Sequence, residues 1–123
     1  MKPIKIKYGT VKLYHQTDED SYKKIVADRM RPGKDGIAGG GVYFAETPEE
    51  TAHKAHHKGV MLECKVVLGK VKEICHRPGD TSIPITFESL TKGGHDSVKI
   101  VGRTSGVEYV VYNSDQVLSI RRM

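Results

Sequence analysis

The first half of the chain alternates between a strand-like and a helix-like pattern. Residues 11–16 (VKLYHQ) alternate apolar and polar side chains, and their β-favouring residues predict a strand. Thr17 is the predicted N-cap of a helix that Pro32 and Gly33 end. The apolar face of this helix comprises residues at helical spacing: Tyr22, Ile25, Val26 and Met30.

A glycine-rich stretch follows this predicted helix. Residues 31–41 (RPGKDGIAGGG) form a long loop, and loops of this length in compact domains are more often functional than structural. The sequence GVYFA at 41–45 predicts a short strand. Thr47 is then a helix N-cap with Glu50 as its capping-box partner, so a second helix is predicted from residue 47 to about residue 57.

The second half of the chain is mainly strand-like. The longest β-rich stretch is VMLECKVVLGKVKEI at 60–74, and an irregular excursion with one short strand, IPITF at 83–87, is expected over 76–95. DSVKIV, VEYVVYN and DQVLSIRRM complete the series, the last as a strand or a tail. The pattern predicts an α+β fold with two short helices in the N-terminal half.

Length and composition narrow the class of protein. A chain of 123 residues with 37% hydrophobic and 28% charged residues predicts a single globular domain over 1–123, expected to be monomeric. No apolar run is long enough for a membrane span or a signal peptide, so Cys64 and Cys75 are expected to be reduced and the protein intracellular. The net charge of +5 favours anionic partners, although the lysines are dispersed.

Five sequence blocks follow one another along the chain and together cover most of residues 11–120: LYHQT, GGGVYFAETPEETA, MLECKVVLGK, GHDSV and GVEYVVYNSDQVL. In this order they resemble the poly(ADP-ribose) polymerase-like family of ADP-ribosyltransferase catalytic domains. Each block alone is a weak signal, and the ordered set with its His, Tyr and Glu is a strong one. The resemblance implies a split β-sheet core that takes NAD as its substrate and uses no metal.

The resemblance also implies roles for individual residues. His15 matches the histidine that hydrogen-bonds the adenosine-side ribose, Tyr43 matches the tyrosine that stacks on nicotinamide, and Glu108 matches the catalytic glutamate. Thr51 stands where a serine usually bonds the carboxamide. The glycines expected to let the backbone approach the pyrophosphate are Gly39, Gly40 and Gly41.

These residue types suit the cleavage of a nicotinamide–ribose bond. That reaction builds positive charge on the ribose, as glycoside hydrolysis does. A carboxylate near the ribose hydroxyls stabilises the charge and polarises an attacking nucleophile, while aromatic stacking orients the planar leaving group.

The chain departs from the family pattern at two positions of the expected NAD site. Gln16, followed by Thr17, stands where the family has a glycine whose backbone lies close to the carboxamide. Lys54 stands where a second stacking tyrosine is expected, a place that His53 or His57 could fill. Both changes leave three alternatives open: weak turnover of NAD, a different choice of ligand, or binding without catalysis.

Simpler interpretations of the same residues also stand. Taken singly, His15, Tyr43 and the three glycines are more often structural, whereas Glu108 beside an apolar strand needs a reason for its burial. The histidines of HKAHH include a pair at zinc-binding spacing but lack a full ligand set, which favours a solvated helix face.

The sequence therefore predicts an NAD-dependent ADP-ribosyltransferase that transfers single ADP-ribose units. The acceptor is unknown, with protein favoured over nucleic acid. The alternatives are an NAD glycohydrolase and a catalytically weak module that binds NAD or ADP-ribose. A related transferase that removes 2′-phosphates from RNA fits less well, because the chain lacks the arginine-and-histidine set of that class.

Overall fold

A computed structural model describes residues 9–33, 38–53, 59–76, 87–102 and 106–123. This part of the chain contains seven strands together with helices, which confirms the expected α+β class. The elements in order are β1 (Val11–Thr17), α1 (Glu19–Ala27), β2 (Val42–Ala45), a 3₁₀ helix (Glu49–His53), β3 (Val60–Val66), β4 (Val71–Cys75), α2 (Phe87–Lys92), β5 (Ser97–Val101), β6 (Glu108–Val111), a second 3₁₀ helix (Ser114–Gln116) and β7 (Val117–Arg122).

The strands form one seven-stranded sheet in the order β4-β5-β6-β2-β1-β3-β7. Neighbouring strands are antiparallel except β4 and β5, which are parallel. The strand order places β2, which carries the Gly-x-Tyr-Phe-Ala sequence, between β1 and β6. His15 and Glu108 therefore lie on the two strands next to Tyr43.

Strand β1 pairs unequally with its two neighbours. It pairs with β3 along its whole length, from Val11↔Val66 to Thr17↔Val60. With β2 it shares one register pair, Tyr14↔Ala45. We call the stretch beyond that pair, where residues 15–17 of β1 face residues 42–44 of β2, the seam.

Apolar side chains cover both faces of the sheet. The first core lies on the face where α1 packs through Tyr22 and Ile25. The second core lies on the opposite face, where α2 contributes Leu90. The main buried residues of the first core are Leu13, Val42, Phe44, Val60, Leu62, Cys64, Val66 and Val111, and those of the second are Ala38, Val98, Ile100, Val110 and Tyr112.

The first helix begins one residue later than the sequence indicates. Asp18 is its N-cap, and its carboxylate accepts a hydrogen bond from the Ser21 amide at 2.7 Å. Thr17 is instead the last residue of β1, where it is buried opposite Val60. The prediction of Thr17 as the cap was wrong because ladder pairing with β3 claims that residue, and the adjacent aspartate caps equally well.

The same helix also ends earlier than expected. It stops at Ala27, before Pro32, and Met30 is buried in the segment that follows the helix. Val26, which the helical spacing assigned to the apolar face, is 65% exposed. The apolar face of α1 is therefore narrower than the sequence pattern predicts.

Further differences occur at the other predicted elements. The β-rich stretch 60–74 is broken at Gly69, whose φ of +64° takes the chain out of the strand. Helix α2 was not predicted, and Phe87, assigned to a strand, begins it. The rest of IPITF lies outside the described residues, as do residues 54–57 of the second predicted helix. The described part of that helix is a 3₁₀ helix at Glu49–His53.

Both cysteines are free thiols. Cys64 is buried on β3, where burial raises the pKa of its thiol to about 12, and Cys75 is exposed at the end of β4. Among the helices of the described residues, none has the length and apolar character that crossing a membrane requires.

Candidate functional site

One row of cross-strand neighbours runs across all seven strands on the face of the second core. In this row Glu108 and Tyr14 both lie opposite Ala45, one on each side. Side chains of directly paired residues point to the same face, so a carboxylate and a phenol flank the small alanine methyl. The row in strand order is Ile74, Ile100, Glu108, Ala45, Tyr14, Glu63 and Arg121.

Tyr43 shares this face, because it lies two residues before Ala45 on β2. Its ring packs against the second core. Its hydroxyl donates to the Gly39 carbonyl and accepts a hydrogen bond from the Ala38 amide at 3.1 Å. The ring is therefore held in one orientation, and the end of the glycine-rich loop is bound to it.

The His15 imidazole closes the seam between β1 and β2. Its Nδ1 donates to the Tyr43 carbonyl oxygen at 2.8 Å, and its ring meets Phe44 edge-on, with centroids 5.9 Å apart. A carbonyl oxygen only accepts, so Nδ1 carries the proton and Nε2 is left as the acceptor. Burial lowers the pKa of His15 below 6.5 and outweighs the hydrogen bond to the Tyr43 carbonyl, which raises it. The ring is therefore neutral at pH 7.

By strand alternation His15 belongs to the face opposite Tyr14. It reaches the seam from the side of the first core, whereas the Tyr43 and Glu108 side chains lie on the side of the second core. His15 and Tyr43 thus lie at the seam, Glu108 lies one strand away on β6, and the side chain of His15 is on the opposite face of the sheet from those of Tyr43 and Glu108.

Glu108 is the first residue of β6 and is 5% exposed. A carboxylate at this depth is costly unless other groups compensate for its lost hydration. Gly106 lies two residues earlier with φ of +100°, and a β-carbon there would be 2.7 Å from the Glu50 carboxylate. The first 3₁₀ helix, which carries Glu50, thus contacts the chain just before Glu108.

The same 3₁₀ helix also approaches β3. The Thr51 hydroxyl donates to the Pro48 carbonyl at 2.6 Å and lies 3.6 Å from the Met61 sulfur. Met61 is the register partner of Gln16, which is half-buried on the face of Tyr14. Thr51 is itself buried, so the hydroxyl expected to contact a carboxamide is used inside the protein.

Two of the three glycines have structural requirements of their own. A β-carbon on Gly41 would be 2.7 Å from a methyl of Val110 and 2.9 Å from the Val111 carbonyl, so only glycine allows the chain to pass β6 this closely. Gly39 has φ of +80° and presents its carbonyl to Tyr43. Gly40 lies between them.

The structure places four of the predicted site residues at the seam, namely His15, Gln16, Thr17 and Tyr43. The three glycines lie just before β2, and Glu108 lies one strand away on β6. Lys54 and His57 lie outside the described residues. Tyr14 is a neighbour of the site that the sequence analysis did not anticipate. Its only signal was its place directly before His15 in an alternating strand, which puts it on the face of Tyr43 and Glu108.

Neither metal-ligand geometry nor comparison with known proteins assigns a function to these residues. Within the described ranges, no three His, Cys, Asp or Glu residues lie together as a metal-ligand group. No protein-family model matches the chain, and no curated protein matches it.

Proposed function

We propose that the protein is an NAD-dependent ADP-ribosyltransferase that transfers single ADP-ribose units to an acceptor, with a protein acceptor favoured. The observation that carries the proposal is the seam. There the imidazole of His15 bonds the main chain of Tyr43, and Glu108 is buried one strand away on the face of the Tyr43 ring. The near-absence of pairing between β1 and β2 supports a sheet of the split, NAD-binding type.

In the proposed reaction the bond between nicotinamide N1 and ribose C1′ breaks. Nicotinamide leaves with the bonding electron pair and becomes neutral, while C1′ gains positive charge. The acceptor attacks C1′ with its lone pair and releases a proton. The Glu108 carboxylate accepts a hydrogen bond from a ribose hydroxyl and stabilises the charge that develops on the ring.

His15 and Tyr43 orient NAD in this proposal. The unprotonated Nε2 of His15 accepts a hydrogen bond from a hydroxyl of the adenosine-side ribose, a role that needs the neutral tautomer described above. The Tyr43 ring offers a flat face to nicotinamide, and its two hydroxyl contacts hold that face still.

Gln16 supports a second candidate function, a module that binds NAD or ADP-ribose with little catalysis. Its side chain is half-buried on the face of Tyr14, where a glycine would leave room for the carboxamide. A narrowed carboxamide subsite weakens the hold on nicotinamide and leaves the ADP-ribose part of the ligand bound.

Incubation with NAD labelled separately on nicotinamide and on adenine distinguishes the candidate functions. Transfer releases nicotinamide and leaves the adenine label on an added acceptor or on the protein. Hydrolysis releases both nicotinamide and free ADP-ribose. A binding module retains both labels without cleavage, and the absence of both binding and cleavage contradicts the proposal.

Glu108→Gln is the variant that tests the mechanism. It keeps the size of the side chain and removes the charge, so we expect nicotinamide release to fall about 100- to 1,000-fold. Glu73→Gln is the matched control, since Glu73 is exposed on β4 and pairs with Lys99 at the surface. If Glu108→Gln and Glu73→Gln release nicotinamide at the same rate, the assignment of Glu108 is wrong.

A further inference from the structure

A second candidate site lies beside β1, β3 and β7. A cleft with a volume of about 330 Å³ opens there, and we call it the basic cleft. None of the residues assigned above to NAD lines it. Its charged and hydroxyl-bearing lining residues are Thr10, Lys12, Glu63, Lys65, Ser119 and Arg121.

The charges in the basic cleft are unbalanced. Lys12 and Lys65 are register partners on β1 and β3, so two ammonium groups project from directly opposed positions on one face. Like charges at such positions are destabilising. Three cations share the cleft with one carboxylate, which leaves an excess of two positive charges.

The single carboxylate of the cleft, that of Glu63, already has hydrogen-bond partners on both of its oxygens. Arg121 donates two hydrogen bonds to one Glu63 oxygen, at 2.7 and 2.9 Å, and the other oxygen accepts from the Tyr14 hydroxyl at 3.3 Å. The guanidinium of Arg121 lowers the pKa of Glu63, which stays ionised at neutral pH. Lys12 reaches the carboxylate at 3.9 Å, and in the described part of the chain no ion pair involves Lys65.

We propose that the basic cleft binds a phosphate monoester. A dianionic phosphate between Lys12 and Lys65 would cancel the excess charge and relieve their repulsion. The hydroxyls of Thr10 and Ser119 add donors suited to the remaining phosphate oxygens. The volume of the cleft is large enough for a phosphate with an attached sugar. A carboxylate ligand fits less well, because its single charge would leave the charge of one lysine uncompensated.

The basic cleft is separate from the NAD site. No residue assigned to NAD lines it. Its nearest lining residue on β1 is Lys12, three residues before His15 and about 10 Å from it along the strand, and Arg121 lies four strands from Glu108, about 19 Å at the usual strand spacing. The proposal therefore stands or falls independently of ADP-ribosyl transfer, and binding alone tests it.

The test is a titration with inorganic phosphate in which binding is measured by the rise in melting temperature. Sodium chloride at matched ionic strength gives the baseline. We expect Lys12→Gln and Lys65→Gln each to weaken phosphate binding about three- to fivefold. Lys65→Gln should also raise the melting temperature of the ligand-free protein, because the repulsion is removed. Lys23→Gln, an exposed change on α1 with the same loss of charge, should alter neither property.

Two further ligands identify the source of the phosphate. Ribose 5-phosphate represents small sugar phosphates, and a 5′-phosphorylated thymidine dinucleotide represents a nucleic-acid end. Tighter lysine-dependent binding of either one supports the cleft and names its source. The proposal is overturned if acetate binds as tightly as phosphate, if phosphate binding does not depend on Lys65, or if Lys23→Gln weakens it equally.

Discussion

The two sides of strand β1 differ in how their main-chain groups are used. Towards β3, the ladder is continuous from Val11 to Thr17. Towards β2, it ends at Tyr14↔Ala45, and beyond that pair the Tyr43 carbonyl accepts from the His15 side chain. In the ladder the main chains of two strands satisfy each other, whereas at the seam a side chain supplies the donor for a main-chain carbonyl.

The two halves of the sheet are nevertheless joined by packing. The first core takes Leu13 and Leu62 from one half and Phe44 and Val111 from the other. The contrast between ladder and seam is therefore one of hydrogen bonding and not of packing.

The largest expected effect tests this shared core. Phe44 is 1% exposed at the seam, and we expect Phe44→Ala to lower the free energy of unfolding by about 3–5 kcal/mol, since a large cavity would open between the halves. Val26→Ala on the exposed face of α1 should change it by less than about 0.5 kcal/mol. Denaturant unfolding measures both. Equal small losses would mean that packing does not join the halves at the seam.

A smaller effect is expected at the loop beside the seam. The Tyr43 hydroxyl bonds Gly39, and the Tyr112 hydroxyl donates to the Ala38 carbonyl at 2.5 Å. We expect Tyr43→Phe and Tyr112→Phe each to cost about 0.5–1.5 kcal/mol of unfolding free energy, because each leaves a loop carbonyl without its donor.

Tyr109→Phe is the control for these two variants, because the Tyr109 hydroxyl makes no hydrogen bond within the described ranges. It should unfold like the wild type. If all three variants unfold alike, the hydroxyl contacts do not hold the loop.

The smallest effect concerns pH. Burial lowers the pKa of His15 below its usual 6.5, so the unfolded chain takes up a proton before the folded protein does. Stability from this residue is complete above pH 6.5 and is lost as the pH falls towards the lower pKa of the folded state.

We therefore expect His15→Gln to flatten the decline in unfolding free energy between about pH 7 and pH 5. Urea titrations of both proteins across that range measure it. An identical decline in the variant would show that the imidazole does not titrate as its burial requires.

The strands were predictable from the sequence, and the ends of the helices less so. Alternation identified β1, which has one face against the first core, and the β-favouring residues of GVYFA identified β2. The start of α1 was misplaced because Thr17 and Asp18 are both good caps, and only pairing with β3 assigns Thr17 to the strand. Helix α2 was missed because glycines and prolines on both sides hid its short apolar pattern.

The candidate site was predictable in its residues and not in its geometry. Sequence order placed His15, Tyr43 and Glu108 in one site, but the faces from which they approach depend on strand register. The packing of Gly41 against β6 likewise depends on β2 lying beside β6. Such long-range pairing leaves no local signal in the chain.

The most direct test of the account is a titration of the ¹⁵N-labelled protein with a non-cleavable NAD analogue, in which amide NMR signals are recorded at each step. We predict saturable shifts at His15, Gln16 and Tyr43 of the seam and at Glu108 on the neighbouring strand β6. The far end of the continuous ladder, represented by Val66 opposite Val11, should stay unchanged. No saturable shift at the seam, or shifts confined to the ladder and the basic cleft, would contradict the claim that the seam binds NAD.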